Sequence, residues 1–468
     1  MEKSSPKGGA DAIVTKVSFI AALAGLLFGL DIAYVNGSLD LIVKEFALTE
    51  SQAGYIAGVL LFGAAIGAIL SGWLSRQFGR KKVLLLASLI FALFTFLGVF
   101  APSFTVFLVA RFIIGLAVGI ASFVAPLYLS EIAPFQIRGR LIAMYQLMIT
   151  IGILAMFLSN AALIHFGSWR LMMSVIAIPA LVMFVGALFL PESPRWLVLV
   201  GRPDDAEKVL QRIRNTDEEV NFELNEIKET VKIKSGGWAL LNKAFFRKVV
   251  ILGILLQALQ QFSGMNAFMY YSGQVFKAAG LSDPLLATII VGLVNVLTTL
   301  IAIKYVDKLG RKPILYTGLT ILVISCAIVG TLFKINPPIN GHIQMSTVEQ
   351  WLTLIFSLLF IFGFAVSLGP IVWILCSEIF PLKGRDLGIT ITTATNWISN
   401  TIIGTFTLTW FQHLGVGGTF WMFGLFNLIG FLIVGFLTPE TKNITLEELE
   451  KNLENGVPLR KIGIRKAS

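Results

Sequence analysis

The sequence predicts an all-α polytopic membrane protein with twelve transmembrane helices in two six-helix halves, joined by a short cytoplasmic helical linker. Of the 468 residues, 56% are hydrophobic and 14% are charged, and the mean hydropathy is +0.81, values far from those of a soluble globular protein. Apolar runs long enough to cross a bilayer recur along the whole chain. Motifs of the first half return in the second half.

Six apolar runs precede a polar stretch of about 55 residues and six follow it, and each run is long enough for a spanning helix. The first six predicted spans are 17–37, 54–74, 83–101, 105–127, 141–164 and 171–190. The last six are 248–274, 285–304, 313–333, 351–377, 387–410 and 418–437. The resulting segments are an N-terminal half (1–195), a linker (196–246), a C-terminal half (247–440) and a cytoplasmic tail (441–468). Within the linker, residues 203–233 have the apolar spacing of short amphipathic helices.

The basic residues predict the orientation of the chain. The net charge is +10 with 37 Lys and Arg, but the charges gather in alternate loops instead of forming a nucleic-acid surface. The opposite loops hold Lys44, Arg170, Lys277 and Lys334, and Arg111 lies inside a span. By the positive-inside rule, both termini and the linker are cytoplasmic. We expect a multi-pass protein of the plasma membrane, and its short loops favour a bacterial inner membrane.

Asp31 and Arg111 are charges placed deep in apolar spans. Asp31 follows Lys16 by fifteen residues, which puts it about 22 Å into the membrane at about 1.5 Å per residue. Arg111 enters from the opposite side, seven residues after Phe104, about 10 Å in. For a hydrocarbon core of about 30 Å the two depths agree, so the residues are predicted to touch. A charge at this depth costs roughly 2.5–3.5 kcal/mol and marks an ion pathway or substrate site by default.

An internal repeat relates the two halves. Ser-Glu-Ile-x-Pro-x-x-x-Arg occurs at 130–138 and again at 377–385, FGRKKVLL at Phe78 matches LGRKPILY at Leu309, and PES at Pro191 matches PET at Pro439. Three matches in one order indicate a duplication. Both copies carry their basic residues on the cytoplasmic side, so the repeat is parallel. This is the plan of major facilitator transporters, which bind substrate between the halves near the midplane.

The repeated motifs also supply candidate gating residues. Arginine–carboxylate bonds at the cytoplasmic helix ends are expected to hold that side shut and to break when it opens. The alternative is that these charges only set the orientation. The gating candidates are Arg80, Glu131, Arg138, Arg311, Glu378 and Arg385.

Several motifs together resemble the sugar porter family of the major facilitator superfamily along nearly the full chain, including its bacterial sugar/proton symporters and facilitative glucose transporters. The chain departs from the family pattern at Arg76 and Gln77, in the first GRK turn. The matching motifs are LLFGLD before Asp31, RFIIGLAVGIASFVAPLYLSEIAP from Arg111, PESPRWL, QQFSGMNAFMYYS, VDKLGRK and PETK.

The resemblance implies a sugar site built mainly from the second half. Amides supply the donors and acceptors that a neutral polyol needs, and aromatic faces pack against the sugar ring. The alternatives are that the amides bond neighbouring helices and that the tryptophans pack or anchor. The sequence holds no metal or cofactor constellation. The implied substrate-binding residues are Gln146, Gln260, Gln261, Asn266, Asn295, Trp373, Asn396 and Trp397, with Tyr270 as a further gating residue.

Helix geometry predicts a break in the seventh span. Asn266 lies five residues after Gln261, about 140° away around a straight helix, and would point elsewhere. Unwinding at Ser263 and Gly264 would bring Asn266 and Tyr270 back to the site, as in the broken helices of transporters. Gly369-Pro370 is either a second hinge or a tolerated kink.

The resemblance implies that an acid at Asp31 belongs to proton symporters, so we expect import of a hexose such as glucose or galactose, or a pentose such as xylose, with a proton. A permanent Asp31–Arg111 brace is the structural alternative. A uniporter for a sugar or an inositol-like polyol and a non-transporting sugar sensor are the functional ones; about 29 residues follow Pro439, short for a signalling tail. The expected partners are the monosaccharide, the proton and the lipid bilayer, with no nucleic acid. We expect a monomer and no enzyme activity.

Overall fold

The computed structural model describes residues 10–134, 137–231, 237–337, 343–442, 444 and 446–463. The first six long helices are α1 (Ala10–Phe46), α2 (Glu50–Phe78), α3 (Arg80–Val99), α4 (Phe104–Ile132), α5 (Arg138–Leu163) and α6 (Trp169–Leu188). Three short helices follow: α7 (Pro194–Leu199), α8 (Pro203–Ile213) and α9 (Asp217–Val231). The remaining helices are α10 (Ala244–Phe262), α11 (Met265–Ala278), α12 (Pro284–Leu309), α13 (Arg311–Ile335), α14 (Thr347–Val366), α15 (Leu368–Glu378), α16 (Arg385–Phe436) and α17 (Leu446–Glu454).

Twelve spans follow from these helices. Eleven helical segments of the described chain are long and apolar enough to cross a membrane. The last, α16, has 52 residues, and at about 1.5 Å per residue it is far longer than one crossing needs. Its backbone leaves helical geometry at Gly415, with φ 71° and ψ 166°. Two spans meet at this glycine, and the predicted all-α fold of twelve transmembrane helices is confirmed.

Two spans are interrupted within the membrane-crossing length. The seventh consists of α10 and α11, which are separated at Ser263 and Gly264, and Gly264 has φ 93°. The predicted break is therefore confirmed. The tenth consists of α14 and α15, which are separated at Ser367, with φ −122° and ψ −89°. That break lies before Gly369-Pro370, so Pro370 falls in the first turn of α15.

The chain forms two compact units. The first unit comprises Met1–Asp31, Gly63–Gly152 and Arg170–Lys234. The second unit comprises Ile32–Phe62, Ile153–Trp169 and Ser235–Ser468. Helices α1, α2 and α5 thus contribute residues to both units, as does α6, whose first residue, Trp169, belongs to the second unit.

The core of the first unit includes the packing of α3 against α4. Helix α3 buries Val83, Ala87 and Phe91, which are spaced four apart and share one face. Its other face holds large apolar side chains such as Phe96, 63% exposed, as expected for contact with lipid. Helix α8 buries Ala206, Leu210 and Ile213 beneath a polar face, so the predicted amphipathic helices of the linker are confirmed.

The second unit is organised around α16, which packs against α10 and α13. Its buried face is rich in small and polar residues, Thr392, Asn396, Asn400 and Gly404 among them. These recur every four residues and therefore face the same neighbours. Small side chains let membrane helices approach closely, and the amides bond across the contact.

Candidate functional site

A buried ion pair joins α1 and α4 inside the first unit. The Nη1 atom of Arg111 donates a hydrogen bond to Oδ1 of Asp31. The side chains are 1% and 4% exposed, respectively. The contact predicted from the depths of the two residues is confirmed. A proton on Asp31 would neutralise its carboxylate and remove the charge attraction to Arg111.

The first of two charged clusters at helix ends lies in the same unit. Arg80 forms a bidentate pair with Glu131, with both N–O distances 2.8 Å. The Oε1 atom of Glu192 accepts the backbone N–H groups of Arg80 at 2.8 Å and Lys81 at 3.1 Å, which caps the start of α3. Burial raises the pKa of the Glu192 carboxyl, and the backbone hydrogen bonds and the charge of Arg80 oppose that rise.

A second copy of this cluster lies in the second unit. Arg311 pairs with Glu378, with 2.8 Å between Nη2 and Oε1. Glu440 accepts the backbone N–H groups of Arg311 at 3.0 Å and Lys312 at 2.9 Å. The repeated sequence motifs thus fold into the same contacts twice. Of the other gating candidates, Arg385 is half-buried at the start of α16, and the side chain of Arg138 lies outside the described residues.

An amide cluster in the second unit is centred on Asn396 of α16. Its Nδ2 atom donates to Oε1 of Gln257 at 2.6 Å and to Oε1 of Gln260 at 2.7 Å. Its Oδ1 atom accepts from Nε2 of Gln261 at 3.0 Å. Asn266 adds a bond to Oε1 of Gln261 at 2.7 Å. Among the candidate sugar residues, Gln260 and Gln261 therefore bond to Asn396 directly, and Asn266 is connected to it through Gln261. Gln257 is a further member of the cluster.

The break between α10 and α11 brings Asn266 into this cluster. The positive φ of Gly264 turns the chain, and a Cβ there would lie 2.5 Å from the ring of Phe423, so glycine is required. Asn427 stabilises the break, because its Nδ2 atom donates to the carbonyl of Ser263 at 3.1 Å. The unwound segment has its free carbonyl satisfied by a side chain, as membrane helices require.

Gln260 connects the cluster to the other broken span. Its Nε2 atom donates to the carbonyls of Leu368 at 2.8 Å and Gly369 at 3.1 Å, in the first turn of α15. The same side chain therefore contacts Asn396 through its oxygen and α15 through its nitrogen.

The remaining candidate residues of the sugar site differ in how deeply they are buried. Asn295 on α12 and Trp397 on α16 are buried, each 4% exposed, whereas Trp373 on α15 is 40% exposed. Tyr270 donates to Oδ1 of Asn400 at 3.4 Å. Gln146 is half-buried on α5, in the first unit. Asn400 was not among the expected site residues, although its position four residues after Asn396 places it on the same helix face.

The spans, the buried ion pair and the duplicated charged clusters together define a membrane transporter with the major facilitator fold. The model of the family described as "Sugar (and other) transporter" matches residues 17–453. The chain belongs to this sugar transporter family, whose members are transporters and not enzymes.

Curated relatives match the chain over nearly its whole length. The galactose-proton symporter of Escherichia coli (strain K12) is 48% identical over 451 residues, which cover 96% of each chain. The arabinose-proton symporter of the same organism is 46% identical over 453 residues, covering 96% of this chain and 95% of the relative. Among solved structures, the xylose transporter XylE from E. coli in a partially occluded inward-open conformation has a TM-score of 0.80 at 29% identity, covering 93% of this chain and 100% of that one.

Proposed function

We propose that this protein is a secondary active transporter that imports a monosaccharide together with a proton across the bacterial inner membrane. The observation that carries the proposal is the buried pair of Asp31 and Arg111, because an acid at this depth in a membrane protein marks an ion or proton pathway by default. The names of the relatives, a galactose-proton symporter and an arabinose-proton symporter, support both the sugar and the proton.

The proton is taken up by Asp31 from the outside. Protonation weakens the bond to Arg111, and the sugar-loaded carrier then opens to the cytoplasm by alternating access. Loss of the proton inside restores the pair. In this scheme Asp31 does not bind the sugar; it sets whether sugar movement is coupled to a proton.

The sugar is held by amide side chains. Gln260, Gln261, Asn266 and Asn396 offer donors and acceptors without net charge, which suits the hydroxyls of a neutral sugar. The exposed face of Trp373 offers an apolar surface for the C–H side of the ring. Further lining residues of the second unit are Asn295 and Trp397, with Tyr270 as a gate.

The duplicated ion pairs serve as cytoplasmic latches. Arg80 with Glu131 and Arg311 with Glu378 make charge-assisted hydrogen bonds at the helix ends, and such bonds break at low cost when water reaches them. The excess of basic residues on this side supports an orientation with both termini in the cytoplasm. The chain acts as a monomer in this proposal.

The test is uptake by the purified protein in proteoliposomes. Labelled galactose, arabinose, xylose and glucose are supplied separately, with and without an imposed proton gradient, and protein-free liposomes are the control. We expect at least one sugar to accumulate above its external concentration only with the gradient, and a protonophore to abolish that accumulation.

Two other results have defined meanings. Sugar that equilibrates without accumulation, whatever the gradient, identifies a uniporter and overturns proton coupling. If none of the four sugars is taken up but an inositol-like polyol is, the substrate is a polyol and not a monosaccharide. The ranking of the four uptake rates identifies the substrate itself.

A further inference from the structure

A cavity of about 260 Å³ lies in the second unit, between the start of α10 on one side and α17 with the residues after it on the other. Phe245 and Lys248 line it from α10. Leu453, Glu454 and Leu459 line it from the opposite side. None of these residues belongs to the amide cluster or to the ion pairs described above. We call this space the α10–α17 cavity.

The tail segment that forms one wall of the cavity is packed against the rest of the second unit. Leu453 is 2% exposed and Ile462 is fully buried. The Nδ2 atom of Asn452 donates to the carbonyl of Ile462 at 2.8 Å, which closes the chain after α17 into a compact loop. Gly463 then lies directly against Glu440, because an added Cβ would clash with the Glu440 carbonyl. The cavity therefore has two ordered walls.

The lining of the cavity combines two opposite charges with an apolar surface. The side chains of Lys248 and Glu454 are exposed, and among the described residues neither takes part in an ion pair. Phe245 contributes an aromatic ring, and Leu453 and Leu459 contribute aliphatic side chains. An ammonium group binds phosphate, a carboxylate accepts hydrogen bonds from hydroxyl groups, and an aromatic ring packs against C–H groups. A phosphorylated polyol offers a partner to all three.

The residues around the cavity favour an anionic ligand. No acidic residue occurs from 230 to 282, a stretch that includes the whole α10 wall. The Nζ atom of Lys243 lies 6.0 Å from the centre of the Phe245 ring, and on the opposite wall Arg460 follows a lining residue. With Lys248, these cations outnumber the carboxylate of the lining. A phosphate group would therefore be attracted to the cavity.

The cavity lies where α10 enters the membrane. The seventh candidate span begins at Ala244, so Lys248 is in its first turns. Trp238, six residues before Ala244, is 72% exposed, and exposed tryptophans are typical of the headgroup region. In the proposed orientation this is the cytoplasmic face. A phosphorylated polyol reaches this face in two forms, as the headgroup of phosphatidylglycerol in the inner leaflet or as a soluble sugar phosphate.

We propose that the α10–α17 cavity is a binding site for a phosphorylated polyol, with the phosphate at Lys248 and the hydroxyl groups at Glu454. The site is separate from the proposed sugar and proton sites, and the inference does not depend on which sugar is carried. The bound ligand joins α10 to the tail. It therefore slows local opening of the tail, because a ligand that binds one arrangement shifts the equilibrium towards it.

The first experiment uses soluble probes with the purified full chain in detergent. Glycerol 3-phosphate, glucose 6-phosphate, glycerol and inorganic phosphate are titrated separately by calorimetry. Hydrogen exchange of the α17 amides is then followed by mass spectrometry, because exchange reports local opening. At a probe concentration of about ten times its dissociation constant, we expect a bound phosphorylated polyol to slow this exchange about tenfold. Glycerol and inorganic phosphate should bind more weakly, since each lacks one of the two groups.

The second experiment tests the lipid source. The full chain is placed in nanodiscs of phosphatidylcholine alone, or with phosphatidylglycerol or phosphatidylethanolamine added. Slower α17 exchange with phosphatidylglycerol, without an effect of the soluble probes, assigns the cavity to the lipid headgroup. Slower exchange with the soluble probes assigns it to a free phosphorylated polyol. Both results support the proposed ligand chemistry.

Variants of the lining residues test the site itself. We expect Lys248→Gln to raise the concentration of ligand needed for half-protection about tenfold, through loss of a charge-assisted bond, and Lys248→Arg to retain binding. Glu454→Ala should reduce the preference for glycerol 3-phosphate over inorganic phosphate. Lys16→Gln is the matched control, because Lys16 is an exposed lysine at the fifth position of the span Ala12–Phe46, as Lys248 is in the span Ala244–Ala278.

Three results would overturn the proposal. The first is that neither the soluble probes nor phosphatidylglycerol alters α17 exchange in the wild type. The second is that Lys248→Gln responds to the ligand as strongly as Lys16→Gln does. The third is that phosphatidylethanolamine protects α17 as well as phosphatidylglycerol and that inorganic phosphate binds as well as glycerol 3-phosphate, because the hydroxyl groups then contribute nothing. Melting temperatures of all variants show whether each one is folded.

Discussion

Arg214 is bonded to the end of α4 at Ile132. The Nη1 atom of Arg214 donates to the carbonyl of Ile132 at 2.9 Å, and Ile132 is the last residue of that helix. The same guanidinium forms a bidentate pair with Glu223 of α9, at 2.5 and 2.8 Å. Arg214 is 4% exposed. Helices α8 and α9 are thereby fixed to the helix that carries both Arg111 and Glu131.

This contact predicts that Arg214→Lys is destabilising. A lysine ammonium lacks the planar arrangement of donors of a guanidinium. It cannot make the two hydrogen bonds to the Glu223 carboxylate and the one to the Ile132 carbonyl with the same geometry. We expect a loss of about 1–3 kcal/mol in the free energy of unfolding, measured as a lower midpoint of thermal unfolding in detergent. Arg212→Lys, at an exposed position of α8, is the control and should be neutral. Equal midpoints for the two variants would contradict the prediction.

Asp31→Asn separates proton coupling from sugar movement. An amide cannot bind and release the proton, so we expect proton-driven accumulation to disappear while exchange of labelled for unlabelled sugar continues. Both are measured in proteoliposomes, with Asp204→Asn, an exposed acid of α8, as the control. Undiminished uphill uptake in Asp31→Asn would make the pair a permanent brace and refute its proposed role.

Asn396→Ala tests the amide cluster. The substitution removes the shared partner of Gln257, Gln260 and Gln261. It also removes the amide donor and acceptor that Asn396 is proposed to offer to the sugar, and at about 0.5–1.5 kcal/mol for each of these hydrogen bonds we expect the half-saturating sugar concentration to rise about tenfold. Thr401→Ala serves as the control on the same helix, since its hydroxyl bonds to the carbonyl of Trp397 at 2.8 Å. A normal half-saturation in Asn396→Ala would show that the amides only join helices.

Substitutions of Glu192 test whether the protein needs the negative charge of this residue or only its hydrogen-bond acceptor. A glutamine oxygen can still accept the N–H groups of Arg80 and Lys81, and burial already disfavours the carboxylate. We therefore expect Glu192→Gln to unfold within about 0.5 kcal/mol of the wild type and Glu192→Ala to lose about 1–3 kcal/mol. Urea or thermal unfolding measures both. If Glu192→Gln is as unstable as Glu192→Ala, the negative charge itself is required.

Sequence patterns predicted the features that depend on regular helix geometry. The fixed rise per residue brought Asp31 and Arg111 to one depth, and the fixed rotation required a break between Gln261 and Asn266. Both are present in the structure. Duplicated motifs likewise predicted two equivalent charged clusters at helix ends, because similar sequences in similar folds make similar contacts.

Other features depend on tertiary contacts that spacing does not reveal. The glutamate of PES and PET was recognised as a repeat, but its capping of α3 and α13 requires the chain to return from a distant segment. The break in the tenth span occurs at Ser367 because Pro370 lacks an N–H group. The N–H groups in the first turn of a helix have no partner within that helix. When α15 starts at Leu368, Pro370 lies in this turn, and its missing N–H group costs no hydrogen bond.

If the amide cluster is the sugar site, as proposed, the mutual bonding of Asn396 with three glutamines limits how tightly a sugar is held. Each hydroxyl that enters must displace a hydrogen bond already made, so the net gain per contact is small. A weakly bound sugar dissociates quickly. A transporter that accumulates sugar needs this, because it must release the sugar into a compartment where the sugar is already concentrated. In this proposal the amide cluster thus favours rapid release of the sugar over tight binding.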